Sequence, residues 1–475
     1  MSRALLLILV LAVCTAEAAF AQDEPLKGLA PPKEAGKGFT GMADGRLGFG
    51  FLGEDGFISL NIGTALQFGK LGVGVQVPLR FRVIDGDPKD DGVIRKEDWD
   101  EVSDWTRVLR YVEWNDTWLY ARLGVLSGTS LGHGTIVDRY YNVIDADHYQ
   151  TGVNVRLDLD VAGGEVMLDN LIDPNILGLR GFIRPFQLFS APDITKKIAF
   201  GVSLVSDFKA PKDPRTTSDK QPVRLINDDG ELEATTSNVF LLGFDLEWQV
   251  LTTSVVAMTP YMDLNILGQT GGVGYHLGLL TTFKLGSSVT LGTRAEYRAL
   301  NQDYSPSWVN SWYEVERVDY LPEPFPDKDH GDVPLTKVGY FKRMDETGHD
   351  SVKHGFHVSA DLNLFDTFTI SALYEDYQGA DNGNLMVRLL MPWISGFKFD
   401  MYFAKRNFDN PFEDFFDKAM AVASFKYRFW GPVFAYAIYS REWRLRGEEE
   451  TDTTLRGTYE TINDFDAGVG AEFSF

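Results

Sequence analysis

The chain has 475 residues and a formal net charge of −23, with 44% apolar residues, 13% aromatic residues and 46 glycines. This composition is too apolar and too aromatic for a disordered chain. The acidic balance argues against nucleic acid as a partner, because phosphate binding needs clustered Lys and Arg. The length fits two or three soluble domains or one large β-barrel, whose size is set by strand number.

The first 21 residues are typical of a secretion signal peptide. Arg3 supplies a basic start, residues 4–13 form an unbroken apolar run, and Ala19-Phe20-Ala21 is a small-x-small cleavage site before Gln22. The apolar run is too short to span a bilayer as a helix. Cys14 is the only cysteine and lies inside this segment, so we expect the exported chain to have no disulfide and no thiol chemistry.

From about residue 44 onward, apolar and polar residues alternate in segments of ten residues and more. In 71–83 the odd residues are apolar, whereas the even residues include Arg80 and Arg82. Such alternation predicts strands with one apolar face. Segments of this length suit strands that cross a bilayer at the tilt found in transmembrane β-barrels. The pattern predicts twenty strands, at residues 44–52, 57–68, 71–84, 105–114, 117–127, 149–161, 164–172, 177–185, 198–209, 238–251, 254–267, 273–285, 288–303, 352–364, 367–378, 384–394, 397–408, 417–429, 432–445 and 459–475.

The connections between these strands tend to alternate in length. Very short turns are predicted at Gly69-Lys70, Asn115-Asp116, Gly163-Gly164, Thr252-Thr253, Gly286-Ser287, Phe365-Asp366, Ser395-Gly396 and Trp430-Gly431. The acidity lies in longer segments, since 85–104, 129–147, 211–236, 305–350 and 447–457 together carry −18 of the −23. An even strand number places both chain ends and every short turn on one side of the sheet. Three prolines interrupt the pattern in 164–197, and losing a hairpin there leaves eighteen strands.

One acidic segment resembles an EF-hand-type calcium loop. Residues 87–98 place Asp87, Asp91 and Asp98 at the first, fifth and twelfth loop positions, and hard cations take several oxygen ligands around such a turn. Lys89 departs from the pattern, because it puts a positive charge where a carboxylate ligand belongs. Two interpretations stay open, a calcium site in an external loop and a merely acidic turn.

The connection at 128–147 differs from the other long ones in being apolar. Glycines at 128, 132 and 134 make it flexible. Its apolar residues are Leu131, Ile136, Val137, Tyr140, Tyr141, Val143 and Ile144. This content is too high for a purely solvated loop, so we expect the segment either to fold into a barrel lumen as its only occupant or to cap the surface.

The end of the chain alternates again. Phe465, Val469, Phe473 and Phe475 fall on one face, opposite polar residues and glycines. This tail resembles the last strand of Gram-negative outer-membrane β-barrels, in which an aromatic C-terminus is part of the signal read by the barrel-assembly machinery. With the signal peptide and the train of strands, residues 42–475 resemble the porin-like class, without matching a specific substrate family.

The resemblance implies an all-β fold: one antiparallel transmembrane barrel of about 18–20 strands, with short periplasmic turns and long acidic external loops. It also implies a place in the outer membrane, in contact with the lipid bilayer and lipopolysaccharide. Residues 22–41 form a short periplasmic leader in this interpretation, too short for the plug domain of energy-coupled transporters. We expect no cofactor, apart from calcium at 87–98. We expect no enzyme activity either, because the sequence lacks the spacings of catalytic triads, zinc ligands and phosphate loops.

The implied function is passive diffusion of small polar solutes through the lumen. Basic residues predicted to line the pore are Arg80, Arg82, Arg122, Arg156, Lys284, Arg294, Arg298 and Arg388. They either pair with opposing carboxylates as a salt-bridged lining that stiffens the wall or create a field that favours polar over apolar solutes. In porins the third external loop narrows the pore, which assigns a constriction to His133, Asp138, Arg139, Tyr140 and Tyr141. The alternative is a surface-exposed structural or adhesive barrel with a blocked lumen.

Overall fold

The chain folds into one closed antiparallel β-barrel of twenty strands. The structure is a computed structural model that describes residues 39–86, 92–95, 98–99, 102–142, 149–217, 223–227, 231–286, 288–320, 335–346, 351–365, 367–447 and 455–475. The barrel strands are β1 (Phe39–Leu52), β2 (Asp55–Phe68), β3 (Leu71–Ile84), β4 (Leu109–Asn115), β5 (Leu119–Gly124), β8 (Gly152–Asp158), β9 (Ala162–Leu168), β10 (Ile176–Ile183), β11 (Ile198–Pro214), β12 (Ala234–Trp248), β14 (Val256–Leu267), β15 (Val273–Leu285), β16 (Val289–Asn301), β17 (Val352–Leu364), β18 (Phe368–Tyr377), β19 (Gly383–Ile394), β20 (Phe397–Phe408), β21 (Ala419–Trp430), β22 (Val433–Leu445) and β23 (Tyr459–Ser474). Three further short strands are β6 (Ser127–Thr129), β7 (Tyr140–Tyr141) and β13 (Leu251–Thr252), of which β13 prolongs the edge of β12 along β14.

The barrel closes through its first and last strands. β1 pairs with β2 on one side and with β23 on the other, from Met42 opposite Ser474 to Leu52 opposite Asp464. Closure leaves no open edge, and a strand in hydrocarbon must pair every backbone N–H and C=O with a neighbour. The predicted all-β barrel with an even number of strands is confirmed, and the proline-interrupted hairpin is present as β10 and β11.

Side chains alternate across the wall as predicted. On β3, Val77 points outward and is 42% exposed, whereas Arg82 on the inner face is buried. Large apolar side chains such as Phe244, Leu277 and Val358 are exposed on the outer face of other strands. The outer surface is therefore an apolar band around a polar interior, which is the reverse of a soluble protein.

The two ends of the barrel differ in their connections. The end that holds Phe39 and Phe475 carries short turns, with one exception at 184–197, and the other end carries the long connections. Several predicted boundaries differ from the observed ones, and two of them change the interpretation. Gly163 and Gly164 lie inside β9, and the turn comes earlier, at 159–161, where Asp160 adopts the left-handed φ of 64°. β1 begins at Phe39, inside the segment predicted as a leader.

Helices in the described residues are few and short. α1 (Tyr313–Glu316) and α2 (Lys337–Glu346) lie in the long connection between β16 and β17, and 3-10 turns occur at Asp104–Val108, Pro185–Leu188 and Thr195–Lys197. Within the described part of the chain, no helix has the length and apolarity needed to cross a membrane.

A charge at the outer midwall tests the orientation of the strands. Replacing Val77, which points outward, by Arg places a charge in the apolar band and should lower the free energy of unfolding by about 2–4 kcal/mol. The measurement is a denaturant titration of the barrel refolded in lipid vesicles. The matched control is Asn61→Arg on the inner face of β2, which should have a smaller effect. Equal losses in the two variants would contradict the assignment of faces.

Candidate functional site in the lumen

The described parts of two long connections fold back into the barrel and pack against its inner wall. Loop A is the connection of residues 125–151 between β5 and β8, and loop B is the connection of residues 302–351 between β16 and β17. Loop B was predicted as an external acidic loop, and loop A as the only occupant of the lumen. Both expectations are corrected, because the part of loop B at 305–320 is largely buried against loop A and the wall.

Loop A enters the lumen as a small hairpin in which β6 pairs with β7. Wall glycines make room for its apolar side chains. A Cβ at Gly178 on β10 would collide with Leu131, and a Cβ at Gly243 on β12 would lie 2.7 Å from Ile136. Loop A therefore packs directly on the backbone of the wall.

His133 of loop A is bound by two wall carboxylates. Its Nδ1 lies 2.9 Å from Asp263 on β14, and its Nε2 lies 3.1 Å from Glu247 on β12. Its ring stacks on Tyr261 at a centroid distance of 4.0 Å. Burial lowers the pKa of His133, but the carboxylates of Asp263 and Glu247 raise it more, to about 10. The imidazolium is thus an ionic anchor between loop A and the wall.

A second anchor joins loop A to an ion-pair network on β16. Arg294 donates to Asp138 of loop A at 2.9 Å and to Glu296 of its own strand at 2.9 Å. Glu296 also accepts from Arg298, whose Nη1 lies 3.3 Å from Glu375 on β18. The side chains of Glu296 and Arg298 are fully shielded from water. Such pairs hold two segments in one arrangement, because separating them would leave a buried charge without its partner.

Three buried groups in this network have donor atoms close enough for a metal ion. The ligand atoms of Asp138, His357 and Glu375 all lie within 4.8 Å of one another. Each is already bonded inside the protein, however. Asp138 accepts from Arg294, and the Nδ1 of His357 lies 2.6 Å from Glu375. We assign these groups to the ion-pair network and not to a metal.

Loop B packs on loop A and completes an apolar core inside the lumen. Val309 forms a parallel bridge with Val137 of loop A, and its carbonyl accepts from the N–H of Asp138 at 3.0 Å. Trp308 and Tyr140 are buried in the same cluster. This core lies within the barrel and is built largely from the two loops, whereas the outer face of the wall stays apolar toward the surroundings.

Charged contacts also fix loop B to distant strands. Glu316 at the end of α1 binds Lys337 at 2.5 Å and Arg406 of β20 at 3.3 Å. Arg317 binds Asp207 of β11 at 3.1 Å. Loop B thus bridges opposite parts of the wall.

The other residues predicted for the constriction also lie in this interface. The hydroxyl of Tyr140 donates to Glu314 of loop B at 2.6 Å, and the ring of Tyr141 packs against Tyr402 of β20. Arg139 has the left-handed φ of 50° and reaches Asp361 on β17 at 3.7 Å. Their role in narrowing a pore remains a prediction.

The predicted pore-lining residues fall into three groups. Arg294, Arg298 and Arg388 are buried. Arg82, Arg122 and Arg156 lie against wall groups. Arg82 binds Asp55 at 3.1 Å, Arg122 binds Glu113 at 3.0 Å, and Arg156 lies over the Tyr120 ring. Arg80 is partly accessible to water, and Lys284 is exposed at the short-turn end of β15.

The accessible flank is the inner face of β23, β1, β2 and β3, where inward-facing polar groups keep contact with water. Arg80 retains 31% of its side-chain surface and Asp464, opposite it at 3.9 Å, retains 17%. Arg46 and Asp44 on β1 are also partly accessible. Gly48 of β1 lies opposite Gly468 of β23, and the hydroxyl of Tyr436 and the carboxylate of Asp466 lie over Gly48. The inward-facing charged groups of this flank therefore keep partial contact with water, beside the packed loops.

The predicted calcium loop is only partly described. Asp87 and Asp91 lie outside the described residues. Asp98 is buried and binds Arg95 at 3.0 Å and Arg107 at 3.2 Å. Burial raises the pKa of Asp98, but Arg80, Arg95 and Arg107 lower it more, so that its pKa falls below the usual value. Calcium binding at 87–98 stays a prediction, and in the described part Asp98 has cationic partners of its own.

Comparisons with known proteins find only distant likenesses. No family model and no curated protein matches the chain. Similar solved structures include a mutant of the ferric enterobactin receptor (PfeA) from Pseudomonas aeruginosa, with a TM-score of 0.36 and 10% identity over 93% of this chain and 81% of that chain. OccAB3 from Acinetobacter baumannii has a TM-score of 0.31 and 12% identity over 92% and 99% of the two chains. OpdK from Pseudomonas aeruginosa, solved with vanillate, has a TM-score of 0.30 and 9% identity over 93% and 100%.

The closed barrel predicted from the sequence is confirmed by the strand pairing of the structure itself. Likeness this low carries no information on what passes through or binds to the barrel.

Removing Arg294 should release loop A from β16. Arg294→Met leaves the buried carboxylates of Asp138 and Glu296 without their shared partner, so the free energy of unfolding should fall by about 3–5 kcal/mol. The control is Arg444→Met, which breaks a partly exposed pair with Glu460 at 3.1 Å and should change stability by about 0–1 kcal/mol. If both variants unfold at the same denaturant concentration, the anchoring role of Arg294 is wrong.

The anchor at His133, which lies outside the spanning strands, should make the barrel sensitive to alkali. The pKa of His133 is raised on folding from about 6.5 to about 10, so its stabilisation is complete below pH 6.5 and is lost as the pH rises toward 10. The melting temperature of the parent should therefore fall more steeply across this range than that of His133→Asn. His354→Asn at the outer surface serves as control and should keep the slope of the parent. Parallel curves for the parent and His133→Asn would refute the ionic anchor.

Proposed function

We propose that this protein is a porin-like channel of the outer membrane through which small polar solutes diffuse passively. The observation that carries the proposal is the accessible flank, a strip of polar wall that stays in contact with water although loops A and B fill the adjoining space. Paired charges of opposite sign along this strip, such as Arg80 and Asp464, favour polar over apolar solutes.

Several finer expectations belong to the same proposal. The apolar band is in contact with lipid, the long connections face lipopolysaccharide, and the assembly machinery recognises β23 with Phe475. The solutes cross without a cofactor and without covalent chemistry. Nucleic acid is not expected as a partner, given the net charge of −23.

Ion selectivity in planar bilayers tests this function. In the accessible flank Arg80 faces water, so Arg80→Ala should keep the channel open and shift the preference between ions toward cations, measured as the reversal potential in a salt gradient. Arg82→Ala is the matched control, because Arg82 lies on the same strand but is buried against Asp55. A parent that conducts no ions would overturn the channel. A selectivity shift in Arg82→Ala as large as that in Arg80→Ala would overturn the placement of the path.

A second candidate function is a surface-exposed structural or adhesive barrel with a blocked lumen. The packing of loop B favours it, since Trp308 and Trp312 are fully buried in clusters formed with loop A and the wall. Deletion of 131–144 separates the two functions. A channel should conduct more ions once loop A is shortened, whereas absence of current in both the parent and the deletion variant would favour the structural barrel.

A further inference from the structure

The connection at residues 184–197, here called the foot, differs from every other turn on its side of the barrel. Other turns on that side, such as 69–70 and 395–396, join adjacent strands with very few residues. The foot takes fourteen residues to connect β10 and β11, which are themselves paired neighbours. Closing a hairpin does not need this length.

The foot has an ordered backbone that is tied to the barrel rim. Two 3-10 turns, Pro185–Leu188 and Thr195–Lys197, shape it. On one side Arg184 makes two bonds of 2.8 and 2.9 Å to Asp158, at the end of β8. On the other side the indole of Trp248 donates to the carbonyl of Ile194 at 2.9 Å. These bonds hold the foot between two neighbouring turns.

The foot presents large apolar side chains to the outside. Leu188 is 61% exposed, Phe189 is 67% exposed, and Phe186 and Ile194 are also exposed. A solvated turn has no need for four such side chains so close together, and a clustered apolar surface of this kind marks an interaction site.

The position of the foot indicates its occupant. Ile183 and Phe200, which flank the foot on β10 and β11, belong to the exposed apolar band of the outer wall. Trp248, to which the foot is bonded, is an exposed tryptophan at the end of its strand, as is typical of the boundary between hydrocarbon and head groups. The apolar surface of the foot therefore continues the band toward the short-turn end. Lys197 at its edge adds a positive charge and donates to Thr252 at 2.8 Å, whereas Lys196 is paired with Asp193 at 2.8 Å.

We propose that the foot is an interfacial anchor that inserts Leu188, Phe189 and Ile194 into the boundary of the phospholipid leaflet on the short-turn side. It fits a lipid surface because the patch is apolar, adjoins the band and carries basic residues at its edge. This proposal rests on the membrane orientation of the proposed function, but not on conduction through the lumen.

Site-directed fluorescence quenching tests the anchor. In a Cys14→Ser background, which has no other cysteine, the single substitutions Phe189→Cys, Asp193→Cys and Val77→Cys are each labelled with bimane. Asp193 is the matched control within the foot, since its side chain is 96% exposed and carries a charge. The labelled proteins are refolded in vesicles of phosphatidylethanolamine and phosphatidylglycerol, with and without brominated acyl chains.

The expected result is quenching by bromolipid at Val77 and at Phe189, and quenching by aqueous iodide at Asp193. If the Phe189 label behaves like the Asp193 label while the Val77 label responds to bromolipid, the barrel is inserted but the foot does not touch lipid, and the anchor is wrong. A Val77 label that fails to respond would instead overturn the membrane orientation, and the anchor with it. If the foot instead binds a periplasmic protein, the Phe189 label should behave like the Asp193 label, because the vesicles contain lipid only.

Discussion

Every other feature of this structure depends on the pairing of β1 with β23. An open sheet edge exposes a row of unpaired backbone N–H and C=O groups, and a closed barrel has no such edge. The first and last strands close the sheet over eleven register pairs from Met42 to Leu52. The twenty strands between them then enclose a space too wide for wall side chains alone to fill.

The chain fills part of that space with its own loops, and two kinds of force hold them there. Trp308, Tyr140 and their neighbours form an apolar core by excluding water from the lumen. The inner wall is polar, however, so an apolar core alone does not decide where the loops sit. His133 and Arg294 supply the directional contacts, because His133 bonds to carboxylates of the wall and Arg294 of the wall bonds to a carboxylate of loop A. The resulting interior is packed where the two loops lie, and the charged groups on the inner face of β23, β1, β2 and β3 keep partial contact with water.

The wall was predictable from sequence because its signals are local. Alternation with a period of two and strand length are both set by neighbouring residues, and each of the twenty predicted strands corresponds to one in the structure. The misplaced turn at Gly163-Gly164 has a simple cause. Glycine suits a tight turn, but β9 uses that pair within the strand, where a Cβ at Gly163 would collide with the ring of Phe182.

The lumen was less predictable because its contacts join segments far apart in the chain. The apolar residues of loop A indicated an inserted segment, and the same signal exists in loop B, where Trp308, Trp312 and Tyr313 lie close together. Because loop B is acidic overall, the sequence predicted a solvated external loop there. No sequence pattern pairs Asp138 with Arg294, since that contact depends on the path of loop A and on the register of β16. Alternation alone places Arg294 and Arg298 on the inner face. Their burial follows from the packing of the loops against that face, which joins segments far apart in the chain.

The contacts of the two loops also impose an order on folding. His133 bonds to a residue 130 positions further along the chain, and the Tyr140–Glu314 bond spans 174. Neither contact can form before the strands that carry or flank the partner have been laid down, and contacts of such long range are slow to form. His133 therefore reaches its partner only once β14 is present, and loop A cannot make its full set of contacts until the chain has extended to loop B.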